Sequence, residues 1–442
     1  MPEISPAFLA DQGVRFVRVL WCDNGNVIRA KAIHVGALTQ HWHKGVGLSV
    51  AQQAVPVMVD APAADSGLGP VGEVWLVPDE PTLTVLPYAP SHARVLGNMM
   101  QAGQPWPWCP RNFLRRMVQA AADLDLQVQA AFENEFYLLK QTGDRPLPAD
   151  ETPFAASLAI DLHQPVIDAI ADALIAQNIA VEQYYPESGP GQQEISVRYA
   201  SALAAADQQI AFRETVRAIA RQHHLMASFL PKVFENSAGS GCHLHLSLWQ
   251  EGNNILPNGQ GALSDVAQAF IAGILRHLPA LMLLTAPSTN SYRRLRPHLW
   301  SGAFRAWGYD NREAAIRVPT NPAEPSPTHF ELKTVDGSAN PYLALGSVIA
   351  AGLEGVRQKL SPPHPVEVDP GLMPEAEQIR RGIDRLPTHL KLAIEHFRQD
   401  TCLMAALGEP LAQTYLAVRQ AEWEAMHSLS FDEEVKLLLD RY

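Results

Sequence analysis

Residues 239–248 read Gly-Ser-Gly-Cys-His-Leu-His-Leu-Ser-Leu, and the last six alternate strictly between polar and apolar side chains. Because side chains along a β-strand point alternately to opposite faces, this alternation predicts a strand. His243, His245 and Ser247 lie on one face, and three leucines form the other. Two imidazoles opposite an apolar face favour a functional site over a single packed histidine. The segment therefore predicts a sheet with reactive side chains on one face and the core behind the other.

Three further segments predicted to be strands, 126–139, 192–198 and 328–335, also carry charged side chains. Carboxylates on one face of a strand repel each other unless a proton or a cation lies between them. A solvated acidic edge is the alternative interpretation, because charged side chains are usually exposed. The charged positions are Glu133 and Glu135 in the first segment, Glu187 and Glu194 at the second, and His329, Glu331 and Lys333 in the third.

Five or six carboxylates with one imidazole suit hard divalent cations such as Mg²⁺ or Mn²⁺ better than zinc. Several arginines follow between residues 293 and 317, among them Arg294, Arg312 and Arg317. Arginine beside a divalent cation suits phosphoryl transfer, because the negative charge of the transition state must be neutralised. The residues alone therefore predict a metal-dependent phosphoryl-transfer enzyme.

The composition excludes several classes of protein. The 442 residues include 46 acidic and 34 basic side chains, for a formal net charge of −12, whereas a nucleic-acid-binding surface needs an excess of Lys and Arg. We expect no membrane association, because the longest apolar run noted, at 342–353, is shorter than the roughly 20 residues that a span needs. The N-terminus shows no secretory signal, and four scattered cysteines form no CxxC pair. These features predict a cytoplasmic protein.

Short strand-like runs fill the first hundred residues, and helices mixed with strands follow. The stretch 105–110, Pro-Trp-Pro-Trp-Cys-Pro, predicts a boundary between a domain at 1–104 and a second domain at 105–442. Strands and helices do not alternate regularly, so the predicted fold class is α+β. Apolar residues at helical spacing predict helices over 111–124, 154–177, 202–223, 263–284, 340–360 and 374–398.

Six segments, in order along nearly the whole chain, resemble motifs of the glutamine synthetase family. The resemblance implies an N-terminal β-grasp domain and a C-terminal catalytic domain built on an antiparallel sheet. It also implies a homo-oligomeric ring, a hexamer or a dodecamer, with active sites between subunits. The segments are the E-x-E strand at 133–136, GQ-x-E at 191–194, GSG-x-H-x-H-x-SL at 239–248, NSY-K/R-RL at 290–295, NR-x-A-x-(I/L)-R-x-P at 311–319 and ANPYL at 339–343.

The resemblance also implies roles for individual residues, with ATP and two or three Mg²⁺ or Mn²⁺ ions in each site. The strand that reads R-x-E-x-R in the family here reads His329 to Lys333, so a forked guanidinium is replaced by a point charge. The implied metal ligands are Glu135, Glu187 and Glu194 for one ion and Glu133, His243 and Glu331 for the second. The implied substrate contacts are His245, Arg294, Gly239 and Lys333 for glutamate, and Arg312, Arg317, Ser247 and His329 for phosphate and nucleotide.

The implied reaction has two steps. The γ-carboxylate of glutamate attacks the terminal phosphorus of ATP and forms γ-glutamyl phosphate. An amine then displaces phosphate and forms an amide. The candidate catalytic residues are Arg312, Glu331 and Trp300, and the resemblance implies that the arginines stabilise the charge that develops during transfer.

One departure from the family motifs concerns the amine. Ammonia-using members carry a carboxylate six residues after the arginine of NSY-K/R-RL, and that position here is Trp300. A second carboxylate, in the N-terminal domain, pairs best with Ser49, although Asp60 and Asp65 follow nearby. Tryptophan supplies neither charge nor base but a large apolar face, so we expect a bulky, apolar or aromatic organic amine. The alternative interpretation of Trp300 is a packing residue in a rearranged loop.

Three other functions stay open at this stage. A polyamine is the alternative amine, favoured if Asp60, Asp65 and Glu73 face the site. Ammonia is a second alternative. A non-catalytic ring protein is the third, and the complete set of predicted metal ligands counts against it.

Overall fold

The structure, a computed structural model, describes residues 6–140, 145–321, 323 and 326–442. Residues 1–5, on which the expectation of no secretory signal rests, therefore lie outside the described part. The first hundred residues form a small mixed domain. Its elements are α1 (Pro6–Asp11), β1 (Phe16–Cys22), β2 (Ile28–His34), α2 (Leu38–Trp42), β3 (Val46–Ser49), β4 (Glu73–Pro78), β5 (Thr84–Val85), β6 (His92–Gln101) and β7 (Gln104–Pro105).

The strands of this domain form one sheet of seven strands. The central order is β2-β1-β6-β4-β3, and β5 and β7 both pair with β6. The pair β1–β6 is parallel, with Phe16 opposite His92, and the remaining pairs are antiparallel. The predicted domain boundary between residues 104 and 105 falls within β7 and stays a prediction.

A larger sheet of eleven strands forms the centre of the second domain. Its main order is β10-β11-β8-β14-β18-β17-β16. All of these neighbours are antiparallel except β16 and β17. The strands are β8 (Gln127–Lys140), β9 (Leu147–Pro148), β10 (Val181–Pro186), β11 (Gln192–Val197), β12 (Ala200–Ser201), β13 (Leu225–Ser228), β14 (Cys242–Gln250), β15 (Asn253–Asn254), β16 (Phe304–Tyr309), β17 (Ala314–Val318) and β18 (Phe330–Leu332).

Helices pack against this sheet and, with the apolar face of β14, enclose the largest core. Leu244, Leu246 and Leu248 of β14 are fully buried in this core, as the alternation in the sequence predicts. The helices are α3 (Pro110–Ala122), α4 (Ser157–Ile175), α5 (Ala202–Gln222), α6 (Asp265–Thr285), α7 (Ser291–Arg294), α8 (Pro341–Gln358), α9 (Glu375–Arg381), α10 (Leu390–Gln399), α11 (Thr401–Leu407), α12 (Glu409–Met426) and α13 (Phe431–Leu438).

Two predicted elements differ from the structure. The helix predicted over 374–398 is divided into α9 and α10. Gly382 ends α9 in the left-handed region at φ 65°, and the imidazole of His389 caps the first turn of α10. The strand predicted over 328–335 is shorter, because β18 is paired only over Phe330–Leu332.

Helix α6 is long and apolar enough to cross a membrane by length and composition alone. However, 78% of its most apolar window is buried inside the protein. Its residues pack in the largest core together with α8, which is the arrangement expected of a core helix. A helix was predicted here over 263–284, whereas the run of 342–353 considered as a possible span lies in α8.

Candidate active site

Strands β8 and β14 lie side by side and bring together the first predicted site residues. Glu133 stands opposite His243 across the two strands. The Nδ1 atom of His243 lies 3.1 Å from Oε2 of Glu133, and Nε2 of His245 lies 3.2 Å from the same oxygen. The period-two spacing of the two histidines therefore places both imidazoles against one carboxylate.

Strand β18 adds a buried carboxylate to the same place. Glu331 stands opposite His245 on β14 and Arg317 on β17. Its Oε2 atom lies 3.6 Å from Nδ1 of His243 and 3.5 Å from Nε2 of His245. Its Oε1 atom lies 2.8 Å from Nη1 of Arg317 and 3.7 Å from Nζ of Lys333. Glu331 thus lies between two imidazoles and two cations.

These neighbours keep the central carboxylates ionised. Burial alone raises the pKa of a carboxyl group, but Lys333 and the two histidines lower the pKa of Glu331 to about 2. Hydrogen bonds from His243 and His245 likewise outweigh burial and hold the pKa of Glu133 well below its usual range. Against the effect of burial, the hydrogen bond to Glu133 raises the pKa of His245.

A second group of carboxylates lies on β8, on β11 and in the loop before β11. Glu135 and Glu194 stand opposite each other, and Glu187 accepts a hydrogen bond of 2.7 Å from the hydroxyl of Tyr185. Burial and repulsion from Glu133, Glu135 and Glu187 raise the pKa of Glu194 to about 10. The carboxyl group of Glu194 therefore holds a proton at neutral pH unless a cation replaces that proton.

The donor set of both groups fits hard divalent cations, because carboxylate oxygens dominate it. The groups meet at His243, whose Nε2 atom lies 3.6 Å from Oε1 of Glu135. Candidate ligand atoms of Glu133, His245 and Glu331 lie within 4.8 Å of one another. The predicted second ligand set contains His243 instead of His245. Both imidazoles lie beside Glu133. The assignment of His243 to the metal and of His245 to glutamate therefore stays a prediction.

Close packing between Gly239 and Arg294 fixes one end of the site, next to β11. A Cβ atom at Gly239 would lie 2.5 Å from Cγ of Arg294 and 2.8 Å from a backbone carbonyl oxygen, so no larger residue fits. Arg294 is buried, and its Nη2 atom donates to the carbonyl oxygen of Thr334 over 2.9 Å. The Nε2 atom of Gln192 donates to the carbonyl of Gly239 and to Oε2 of Glu135, which fixes this carboxylate.

A cleft of about 620 Å³ opens beside the imidazoles. Tyr199 and Trp249 form part of its wall, with ring centroids 6.0 Å apart, and Trp249 donates a hydrogen bond of 2.8 Å to the hydroxyl of Ser247. The ring of His329 lies 5.1 Å from that of His245. Burial and the charge of His245 lower the pKa of His329 to about 4, so His329 is neutral at neutral pH. An aromatic wall beside polar groups suits a nucleobase.

Residues 296–303, here called the flap loop, are anchored by a carboxylate that the sequence analysis did not identify. Glu313 is buried, and its Oε1 atom accepts a hydrogen bond of 2.8 Å from the backbone N–H of Trp300. Its Oε2 atom accepts one of 3.2 Å from the N–H of His298. Both loop residues have positive φ angles, 54° and 64°, so the carboxylate stabilises a conformation that ordinary residues rarely adopt.

The foot of the flap loop packs against Lys333, beside the carboxylate cluster. A Cβ atom at Gly302 would lie 3.1 Å from Cβ of Lys333, whose ammonium group faces Glu331. Higher in the loop, Leu299 and Trp300 are 53% and 56% exposed. Trp300 is therefore not buried as a core residue of its own chain.

Two predicted residues lie apart from this cluster. Arg312 is exposed in the turn between β16 and β17, and Ser49 ends β3 in the small sheet, opposite Glu73. The carboxylates, both histidines of β14, Ser247, Arg317, His329 and Lys333 are brought together within the large sheet. The roles of Arg312 and Ser49, like those of the clustered residues, stay predictions.

Sequence reasoning missed the aromatic wall of the cleft and the anchor of the flap loop. One signal was present for Trp249, since it lies two residues after Ser247 on the same strand face. Tyr199 and Glu313 carried no comparable signal, because each reaches the site through contacts between distant segments.

Comparison with known proteins agrees with this geometry. The family model "Glutamine synthetase N-terminal domain" matches residues 7–106, and "Glutamine synthetase, catalytic domain" matches residues 107–438. "Type-1 glutamine synthetase 1" of Dictyostelium discoideum is 33% identical, over 97% of this chain and 90% of the relative. "Gamma-glutamylpolyamine synthetase GlnA3" of Streptomyces coelicolor is 39% identical, over 96% and 93%.

Solved structures show the same likeness over the full length. The "GmaS/ADP complex-Conformation 1" structure superimposes with a TM-score of 0.86 at 28% identity and covers 100% of both chains. The "Crystal structure of novel glutamine synthase homolog" has a TM-score of 0.84 at 32% identity, again over 100% of both chains. The two family models and these relatives show that the chain belongs to the glutamine synthetase family and is a ligase of that family.

Proposed function

We propose that the protein is an ATP-dependent ligase that joins the γ-carboxylate of glutamate to an organic amine with an apolar or aromatic body. The observation that carries this proposal is the flap loop. It presents Leu299 and Trp300 to solvent, at 53% and 56% exposure, where ammonia-using relatives carry a carboxylate. A buried carboxylate, Glu313, fixes the backbone at this point. An exposed apolar pair on a fixed loop suits an apolar ligand better than ammonium.

The clustered residues support phosphoryl transfer. Divalent ions, Mg²⁺ or Mn²⁺, held by Glu133, Glu135, Glu187, Glu194, Glu331 and an imidazole, would neutralise charge on the transferring phosphoryl group. Arg317 adds a guanidinium that already contacts Glu331 over 2.8 Å. Lys333 adds a buried ammonium group on the same side of Glu331. These fixed cations stabilise negative charge without rearranging during the reaction.

In the first step, an oxygen of the glutamate γ-carboxylate forms a bond to the terminal phosphorus of ATP, and the bond to ADP breaks. The aromatic cleft beside Ser247 is the proposed place of the nucleotide base, with Tyr199 and Trp249 in its wall. Arg294 and His245 are the proposed contacts of the amino-acid part of glutamate. ADP in the "GmaS/ADP complex" structure supports nucleotide use by this fold.

In the second step, the amine nitrogen attacks the acyl carbon of γ-glutamyl phosphate, phosphate leaves, and the nitrogen loses a proton. Ammonium arrives charged and needs a base before it attacks. A weakly basic or aryl amine arrives neutral at the same pH and needs less help. Trp300 offers no base but a broad apolar face, so it favours the neutral, bulky amine.

A polyamine is the second candidate, and the 39% identity to a protein named γ-glutamylpolyamine synthetase favours it. A cationic amine binds an indole through a cation–π contact, and Trp300 is exposed for one. Asp60, Asp65 and Glu73 are all exposed on the small domain, and a polyamine's second ammonium group would bind them where this surface faces the site of a neighbouring subunit. We infer that a ring of subunits, typical of the family, joins Ser49 of one subunit to the large sheet of the next. We also propose that the protein is located in the cytoplasm.

The test is phosphate release with ATP, glutamate and a panel of amines. The panel contains ammonium, aliphatic amines, aryl amines and diamines, and each is compared at equal concentration. The proposal predicts faster release with an apolar or aromatic amine than with ammonium. The Trp300→Glu variant should move the preference towards ammonium. An unchanged preference in this variant, or fastest release with ammonium in the unmodified protein, contradicts the proposed amine.

A further inference from the structure

A second anchor of the flap loop joins it to residues 366–373, here called the clasp segment. The Nδ1 atom of His298 lies 2.7 Å from Oδ2 of Asp369, a residue 71 positions later in the chain. The other carboxylate oxygen of Asp369, Oδ1, accepts a hydrogen bond of 2.7 Å from the backbone N–H of Gly371. Both oxygens of Asp369 are therefore engaged, and the carboxylate links the flap loop to the single helical turn Pro370–Leu372.

The clasp segment is itself fixed to the large sheet. Its two ends, Val366 and Met373, are buried in a small core with Phe304 of β16 and Ala303 of the flap loop. Asn311, in the turn after β16, donates from Nδ2 to the carbonyl oxygen of Val366 over 2.8 Å. The carboxylate that binds His298 therefore belongs to a segment that the sheet holds in place.

Steric contact accompanies the hydrogen bond between the two segments. A Cβ atom at Gly371 would lie 2.8 Å from Cε1 of His298, so the imidazole packs against the backbone of the clasp segment. His298 has a φ angle of 64°, in the left-handed region that glycine adopts more easily than histidine. A side chain kept at such a position points to a role for its imidazole.

Both segments leave apolar side chains exposed beside this contact. Leu299 and Trp300 directly follow His298, and each is more than half exposed. Leu372 directly follows Gly371 and is 75% exposed. Exposed apolar side chains on two segments that are held together form a surface suited to binding an apolar ligand.

We propose that His298 is a positioning residue that holds the flap loop against the clasp segment. We propose further that Leu372 is a specificity-determining residue that extends the apolar surface of Leu299 and Trp300. This inference rests on the proposed use of an organic amine, whose apolar body would bind across the three side chains. An amine with a bulky body then gains more from Leu372 than a short amine does.

The first test measures the clasp without any substrate, by amide hydrogen exchange of residues 296–303 in the full-length protein. In His298→Gly the backbone keeps its positive φ angle but loses the imidazole, whereas His298→Asn tolerates the same φ angle and places an amide nitrogen near the position of Nδ1. In Asp369→Ser a hydroxyl can still accept from the N–H of Gly371 but is too short to replace the carboxylate at His298.

The proposal predicts that exchange in the flap loop becomes about fivefold faster in His298→Gly and in Asp369→Ser, because one hydrogen bond is lost. His298→Asn should restore most of the protection. Unchanged exchange in Asp369→Ser, or equal exchange in His298→Asn and His298→Gly, overturns the positioning role of His298.

The second test measures the KM for a bulky aryl amine and for a short aliphatic amine. Leu372→Ser should raise the KM for the aryl amine about fivefold and leave the KM values for the short amine and for ATP unchanged, because only the bulky body loses apolar contact. Ile175→Ser is the matched control, since Ile175 is also exposed, at the end of α4, and it should change none of these values.

An unchanged KM for the aryl amine in Leu372→Ser overturns the specificity role of Leu372. A preference of the unmodified protein for ammonium would contradict the proposed function together with the role of Leu372. The exchange experiment decides the role of His298 in either case, so the two failures are distinguishable.

Discussion

Replacing Glu194 with glutamine should stabilise the protein without divalent metal and weaken the effect of adding metal. The reason is the raised pKa of Glu194, about 10 compared with an ordinary value of 4.5, caused by burial and by three neighbouring carboxylates. In the folded protein the group keeps its proton, whereas in the unfolded chain it ionises above about pH 4.5. The free energy of unfolding of the metal-free protein therefore falls as pH rises from 4.5 towards 10.

The size of this effect follows from the difference in pKa. Each pH unit between the two values costs about 1.4 kcal/mol, so three units, up to pH 7.5, give an upper limit of about 4 kcal/mol. Relaxation of the cluster reduces this cost, and we expect glutamine, which carries no charge, to recover about 1–2 kcal/mol. With Mg²⁺ or Mn²⁺ present, the unmodified protein should be more stable than Glu194→Gln, because the ion binds the carboxylate of Glu194. A metal present at 100 times its Kd stabilises the native protein by about 2.7 kcal/mol, and Glu194→Gln should lose much of this gain.

The assay is thermal unfolding of both proteins at pH 7.5, once in excess EDTA and once in excess Mg²⁺ or Mn²⁺. Glu182→Gln is a suitable control, because Glu182 lies on neighbouring β10 in an exposed ion pair with Arg198. It should change neither melting temperature appreciably. The reasoning is refuted if Glu194→Gln melts below the unmodified protein in EDTA, or if metal stabilises both proteins equally.

Three further predictions concern catalysis. Glu313→Ala removes the acceptor of two flap-loop N–H groups, so the KM for the amine should rise about tenfold while the KM for ATP stays constant. Glu313→Gln keeps one acceptor oxygen, so its KM for the amine should lie between those of the unmodified protein and Glu313→Ala. Equal changes in the KM for the amine and the KM for ATP would contradict the anchoring role. Trp249→Leu should raise the KM for ATP by about five- to tenfold and leave the amine unaffected, since base stacking contributes about 1–3 kcal/mol. Arg317→Lys should lower kcat by about 10- to 100-fold with little change in KM, because the charge stays but its geometry changes, and an unchanged kcat would exclude Arg317 from the reaction.

Much of the large sheet was predictable from local patterns. The alternation along 243–248 sets the direction of each side chain, so His243, His245 and Ser247 share a face of β14 as predicted. The same period-two rule applies to Glu133 and Glu135. The resemblance to known motifs added the two kinds of domain and the antiparallel sheet, which periodicity alone does not give.

Contacts between distant segments account for what the sequence did not predict. Glu313 is 13 residues from Trp300, and its role depends on the parallel pair β16–β17, whereas no parallel pair was predicted in this sheet. The contact of His298 with Asp369 depends on the packing of the flap loop against the segment before α9. The sequence pattern predicts one helix in place of α9 and α10 and none after residue 398. A side chain's neighbours on other elements are fixed by tertiary packing, which local spacing does not specify.

The identity of the amine is the central claim, and a direct competition tests it. The protein is incubated with ATP, Mg²⁺, glutamate and equal concentrations of ammonium, an aryl amine and a linear diamine, and the γ-glutamyl products are measured by mass spectrometry. The account predicts that the amide of the aryl amine predominates over glutamine. Glutamine as the main product would contradict the account, and a predominant diamine product would favour the polyamine alternative.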